Sequence, residues 1–372
     1  MFNKRKTIKN ECMLTGSFKR KGYDWWWHSF TGRDAETNEE KPFFLEFFLT
    51  NPKKAQDHPT YGQLGEIPSY LMVKIGTWGK NKTQVHNFYA WKDVDVRYRA
   101  PFHVKAGECF LTETRTYGKA KVTEEEAAEH PEYMCSAGEF EWNLQIEKKI
   151  AFNVGYGTSR LCRFLKAFEM YWHAEGMKTL FDGYVIYNGR KYIVSRENCY
   201  GYADKNWGRN FTTPWIWLSS NNLYSNVHKK KLENSVFDIG GGKPKVYFIS
   251  IPRQLLGAFY YEGEEFEYNF SKFWTFPKTK FDVEITDEQV IWHITQSRRK
   301  SRMEVNITCQ KEDMLLVNYE SPDGKKRHNN LWNGGNGKGN IKLYKRVKGK
   351  MELVDDIDAF NIGCEFGEYD PE

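Results

Sequence analysis

Glu139-Phe140-Glu141-Trp142-Asn143-Leu144-Gln145-Ile146-Glu147 is the stretch that decides the fold class. Apolar side chains occupy every second position, with charged or amide side chains between them. That is the two-residue period of a β-strand with one dry face and one wet face. Met303, Val305, Ile307 and Cys309 repeat it, as do Val94, Val96 and Tyr98. The apolar runs 184–187 and 192–194 flank Asn188-Gly189, a pair that accepts the positive φ angles of a two-residue hairpin turn. Glu262-Gly263 and Pro322-Asp323-Gly324 are further turn signals.

Helical periodicity is scarce. Leu161, Phe164, Leu165, Phe168 and Trp172 predict one amphipathic helix near 160–173, and 124–130 a second, short one ended by Pro131. Gly240-Gly241-Gly242 and Asn333-Gly334-Gly335-Asn336-Gly337 read as loops and lack the order of a nucleotide cradle. The expectation is a mainly β chain of short antiparallel strands and few short helices, in barrels or sandwiches. The helix near 160–173 would divide it into an N-terminal domain, 1–180, and a C-terminal domain, 181–372.

Composition narrows the function classes. Aromatic residues make up 16% of the 372, which favours sheets over helix bundles. The net charge of +6 comes without a dense basic block, so no nucleic-acid partner is expected. Lys229-Lys230-Lys231 and the group Arg298, Arg299, Lys300 and Arg302 read as solvated turns. No apolar run reaches the length of a transmembrane helix, although peripheral contact with a membrane stays compatible with the chain. The 7 cysteines are scattered and never form a C-x-x-C pair, which suits a reduced, cytoplasmic protein without a metal site. His173-Ala174-Glu175 lacks the cysteine pair of a deaminase and reads as a histidine closing the predicted helix.

Two clusters could carry chemistry. Gly201-Tyr202-Ala203-Asp204-Lys205-Asn206-Trp207-Gly208, with Phe211, Trp215, Trp217 and Asn221 behind it, sets charged and amide side chains among indoles. Desolvation near those rings would raise the Asp204 pKa, while Lys205 and Arg209 would oppose the rise. A protonated acid beside aromatic faces is suited to protonating an alkene, whose cation the rings then stabilise. The alternative is that Asp204 and Asn206 hydrogen-bond the backbone of a tight turn. In the second cluster, Tyr23 to Phe30, a strand puts Asp24, Trp26 and His28 on one face and Trp25, Trp27 and Ser29 on the other. Either the first face presents an acid and an imidazole to a cavity, or both faces are buried and a backbone carbonyl satisfies His28. Glu46, flanked by Phe43, Phe44, Phe47 and Phe48, is expected to be exposed.

On these residues the chain resembles the tocopherol cyclase family. Further matches are Trp172-His173-Ala174-Glu175-Gly176, the Gly183 to Gly189 hairpin and Gly363-Cys364-Glu365-Phe366-Gly367. The Asp-x-Asn-Trp-Gly core is also similar to a wider group of carotenoid hydratases and AttH-like proteins. The resemblance implies two lipocalin-like (calycin) β-barrels packed side by side, with a ligand cavity near their junction. It also implies cofactor-free protonation of a double bond, followed by ring closure or water addition. Asp204, Asn206, Trp207, Trp215, Trp217 and Asn221 occupy the motif positions, and Glu365 the terminal carboxylate position.

The leading expectation is therefore an enzyme, of bacterial composition, that cyclises, hydrates or isomerises an isoprenoid or polyene-like molecule without metal or nucleotide. Asp204 would donate the proton, with His28 or Asp24 as a second acid or base. Trp26, Tyr202, Asn206, Trp207, Trp215, Trp217, Asn221 and Glu365 would bind the ligand. The main alternative is a lipocalin-like carrier that uses the same cavity without chemistry. A weaker one is a carbohydrate-active sandwich with Asp204 and Glu365 as its carboxyl pair.

Overall fold

The computed structural model describes residues 10–61, 65–152, 168–243, 245–246, 249–250, 254–270 and 272–368. Two 12-stranded antiparallel sheets carry nearly all of the ordered backbone. The first runs from Tyr23–Asp34 to Gly201–Gly208, and the second from Trp215–Ser220 to Lys350–Glu368. Residues 181–208 hydrogen-bond within the first sheet, so the chain changes sheet between Gly208 and Trp215 rather than at 180/181.

Each sheet curls towards closure. In the first, the Asn87 side chain donates to Lys121 O (2.9 Å) and accepts from Lys121 N (3.1 Å), tying two non-paired strands together. In the second, Gln296 reaches Leu255 O at 3.0 Å. Three apolar cores result. One fills the first sheet around Trp26, Trp142 and Phe181, and one fills the second around Trp292, Ile307 and Ile341. The third lies between the sheets and takes Trp27 and Tyr202 from one, Trp217 and Tyr319 from the other.

The third core explains why Tyr23–Asp34 is buried along almost its whole length. Trp26 and Phe30 enter the first sheet's interior, and Tyr23, Trp25 and Trp27 join the core between the sheets. Period-two alternation elsewhere matches the sequence. Gly138–Phe152 alternates through Phe140, Trp142, Leu144 and Ile146, and Ser301–Gln310 through Met303, Val305, Ile307 and Cys309. The Asn188-Gly189 turn has positive φ at both residues, 46° and 80°. Residues 124–129 form a helix with a full capping box, Thr123 and Glu126 each satisfying the other's backbone amide.

Three expectations need correction. Residues 170–173 belong to the strand Met170–Tyr187, so no helix ends there and His173 is a buried strand residue; 161–167 lie outside the described residues. Both glycine-rich segments are strands rather than loops, in Val236–Gly242 and Arg327–Val347. The reason is close approach between sheets. A β-carbon on Gly240 would lie 3.0 Å from the Trp172 ring, and one on Gly335 only 2.2 Å from the Trp78 ring. Both indoles come from the first sheet and lie against bare backbone of the second. Glu46 is fully buried, not exposed. Its carboxylate pairs with Lys74 Nζ at 3.2 Å and accepts the Tyr319 hydroxyl at 3.0 Å.

Candidate active site

The seam between the sheets holds a small cavity of about 30 Å³, room for roughly one water. Trp25, Trp27, Met170 and Asp204 line it from the first sheet, Phe211 and Thr212 from the connection between sheets. Trp215, Trp217, Tyr319, His328, Leu331 and Glu365 line it from the second. Its wall is mostly ring, with a carboxyl from each sheet.

Strand alternation places the acid. On Gly201–Gly208, Tyr202 and Asp204 face the seam, while Lys205 and Trp207 face the first sheet's interior. Asp204 Oδ2 accepts from Trp172 Nε1 at 2.8 Å and from the Tyr202 hydroxyl at 3.2 Å. Oδ1 is buried and has no hydrogen-bond partner. Burial pushes the Asp204 pKa well above the usual carboxylate value; the Trp172 bond opposes this, and the Glu365 charge adds to it.

Asp238, from the second sheet, extends the network. It accepts from the same Tyr202 hydroxyl at 3.2 Å and from Trp217 Nε1 at 3.2 Å. A phenol has one hydrogen, so it donates to one carboxyl and can only accept from the other, which must then carry a proton. Burial raises Asp238 well above its usual value too, and the Asp204 charge adds to the rise. At least one acid of this pair is therefore neutral near pH 7, across a hydrogen-bonded path from one sheet to the other.

Glu365 stands on the second sheet's wall. Its Oε2 accepts from Trp215 Nε1 at 2.6 Å and its Oε1 from Asn333 Nδ2, whose amide oxygen accepts from Trp78 Nε1 at 2.7 Å. Burial lifts it to about 7, against those two donors. The cavity thus pairs an acid that keeps its proton with one poised to exchange it near neutrality. His328 is held neutral by burial, its pKa lowered to about 4.

Among the sequence-predicted residues, Asp204, Trp215, Trp217 and Glu365 line the cavity, and Tyr202 stands directly behind Asp204. The others are elsewhere. Asp24 faces the first sheet's interior, ion-paired with Lys205 and accepting Met13 N at 2.6 Å, with burial pushing it up to about 6. Trp26 stacks there on Phe102 and covers the Lys205 ammonium at 3.8 Å. His28 is buried against Phe181 and hydrogen-bonds the Leu45 backbone; burial lowers its pKa to about 3. Trp207 stacks on Tyr171 in the same interior. Asn206 accepts the Tyr23 hydroxyl at 3.0 Å, and Asn221 ties Met177 O and Gly201 O, at 3.1 and 2.9 Å, to the second sheet. The Asp24, Trp26 and His28 face is therefore the inner one, and the opposite face, Trp25 and Trp27, reaches the cavity.

Sequence reasoning missed Trp25, Trp27, Tyr319, His328 and Asp238. For Asp238 a signal existed: an acid between Phe237 and Ile239 whose strand face continues into glycine at Gly240. Trp172, singled out as the end of a predicted helix and as part of a matching motif, proves to be the donor to Asp204. Among the described residues no three His, Cys, Asp or Glu side chains gather as a metal site, and no helix is long and apolar enough to cross a membrane.

Comparison with known proteins identifies the fold and the family. Kievitone hydratase from Nectria haematococca superposes with a TM-score of 0.54 at 12% identity, covering 99% of this chain and 97% of that one. An AttH protein from Nitrosomonas europaea does so with a TM-score of 0.49 at 11% identity, covering 98% of each. At such identity the hydratase likeness establishes the fold, two lipocalin-like antiparallel barrels. No curated protein sequence matches the chain. The tocopherol cyclase-like family model matches residues 73–368, most of the length, and the chain belongs to that family.

Proposed function

We propose that the protein binds a hydrophobic, isoprenoid or polyene-like molecule in the seam and converts it by acid-initiated cyclisation, hydration or isomerisation. The observation that carries this reading is Asp204: a buried carboxyl with no cation bonded to it, one oxygen unengaged, on the wall of a ring-lined cavity. The family supports the same reaction class, and a hydratase shares the fold.

Asp204 adds its proton to one alkene carbon, leaving a carbocation on the other and a carboxylate on the enzyme. The faces of Trp27, Trp215 and Trp217 stabilise that cation. It is then quenched by an internal hydroxyl, by water or by loss of a neighbouring proton. Glu365, titrating near neutrality, takes up the proton released in quenching. Asp238 restores the proton of Asp204 through Tyr202 and regains its own from solvent, to which Glu365 releases the proton it took up. A ligand of this class needs more room than the narrow cavity gives, and the unbranched side chain of Met170 is a wall element able to swing aside.

Incubating the protein in deuterium oxide with a panel of prenylated phenols and polyenes tests this. A turned-over product carries deuterium at the protonated carbon, and the Asp204→Asn variant forms none while still binding the substrate within a few fold. Incorporation at the wild-type rate by that variant removes Asp204 from the role. A lipid that co-purifies unchanged and is never converted would favour the carrier.

A further inference from the structure

Far from the cavity, one end of the second barrel carries the most exposed aromatic side chains among the described residues. Trp274 is 60% exposed and Phe276 is 73% exposed, in the segment Lys272-Phe273-Trp274-Thr275-Phe276-Pro277-Lys278-Thr279-Lys280. Phe276 has a φ of 50°, an uncommon backbone conformation for so bulky a residue. Two large rings two residues apart in the chain, each more than half exposed, mark a surface suited to an interaction.

The strand pairing shows what surrounds them. Lys278 pairs with Ser297, the neighbour of Arg298, which in turn pairs with Ser301 across the next turn. Ser301 pairs with Lys345, and the third turn is bonded to the second: Arg346 N donates to Lys300 O at 2.8 Å and Arg346 Nε to Arg299 O at 2.8 Å. Three segments, 272–280, 297–303 and 344–350, thus meet at one rim. None contains an acidic residue, and together they hold Lys272, Lys278, Lys280, Arg298, Arg299, Lys300, Arg302, Lys345, Arg346, Lys348 and Lys350. Nearby carboxylates neutralise three of these: Glu267 pairs with Lys272, Glu304 with Arg302 and Glu264 with Lys345. Glu262 sits in the adjoining turn, accepting from Asn234 N and Ser235 Oγ, and Glu265 in the strand that follows it. Lys278, Lys280, Arg299, Lys300, Arg346, Lys348 and Lys350 remain exposed.

We propose that this rim docks the protein on an anionic lipid bilayer, Trp274 and Phe276 entering the headgroup region while the surrounding lysines and arginines meet the lipid phosphates. Rings that insert and cations that stay at the surface are the two components of reversible interfacial binding. The charge complementarity selects the occupant, because an apolar protein partner would not need so many cations around two rings. The inference is independent of the cavity, since vesicle binding is read without turnover.

Flotation of the full chain with phosphatidylcholine vesicles, and with vesicles that also contain phosphatidylglycerol, tests it. Retention is expected on the anionic vesicles only, weakening as salt is raised. Trp274→Ala with Phe276→Ala should lower partitioning by about tenfold or more, and Arg299→Ser with Lys300→Ser by about tenfold while flattening the salt dependence. All four positions are exposed or part-exposed, and an unchanged thermal midpoint checks that each variant is folded. Absence of retention overturns the proposal, as does retention that ignores the aromatic pair. Aromatic-dependent binding of single-stranded DNA, with no vesicle binding, would reassign the rim to nucleic acid.

Discussion

Asp24 and Asp204 lie on paired neighbouring strands, both buried, three register positions apart, and face opposite ways. Asp24 looks into the first barrel, where Lys205 and the Met13 amide meet it, and burial lifts it only to about 6. Asp204 looks into the seam, where an indole and a phenol meet it, and rises much further. Burial alone does not make a reactive acid; the absence of a counter-charge does. Asp24 fixes the segment before the first strand into the barrel. Asp204 has a proton to give.

Paired substitutions separate the two most sharply. Asp204→Asn should lower turnover by about 10²- to 10⁴-fold and leave stability almost unchanged, because a neutral amide replaces a neutral acid. Asp24→Asn should do the reverse, costing about 3–5 kcal/mol in urea unfolding by stranding the Lys205 ammonium, with normal turnover per folded molecule. If both variants lost activity and stability alike, the contrast would be void. Next in size, Gly335→Ala should cost about 1–3 kcal/mol, and Gly240→Ala less, since its neighbour stands 3.0 rather than 2.2 Å away. Equal midpoints for both variants and wild type would deny the indole contacts their role.

The smallest effect concerns pH. Glu365 holds its proton up to about 7 when folded, against 4.5 for an ordinary glutamate. The folded state therefore binds more protons between those values. This contribution to stability is complete below about 4.5 and lost as pH rises through about 7. Glu365→Gln should remove about 1–3 kcal/mol of that decline, read from urea midpoints at about pH 5 and about pH 8. Parallel slopes for variant and wild type would show that Glu365 is not the group responsible. The other carboxyls that burial raises, Asp24, Glu46, Glu175, Asp204 and Asp238, sustain the remaining decline.

Much of this was legible in the residues. Alternation through Phe140, Trp142, Leu144 and Ile146, and the Asn188-Gly189 turn, need only local geometry, so the β architecture follows directly. Asp204, Trp215 and Trp217 were findable because a carboxylate among indoles is chemically odd wherever it falls, whereas Glu365 was reached only through the family resemblance. The choice between the two faces of Tyr23–Asp34 was not legible. Period two defines two faces, but which of them looks into a barrel and which into the seam depends on how the sheet curls, a property of the whole. The glycine runs failed for a related reason. Locally they resemble loops, and only the indoles that press on them from the other sheet make them strands.

Those contacts bear on how such a protein can diversify. Trp78 and Trp172 each need bare backbone in the opposite half, so neither half has a finished outer surface when taken alone. A chimera built by exchanging one half with that of a distant relative inherits a steric mismatch unless the glycines travel with their rings. The two halves are thereby bound to change together at those points, while the wall residues between them are free to be reshaped for a different molecule.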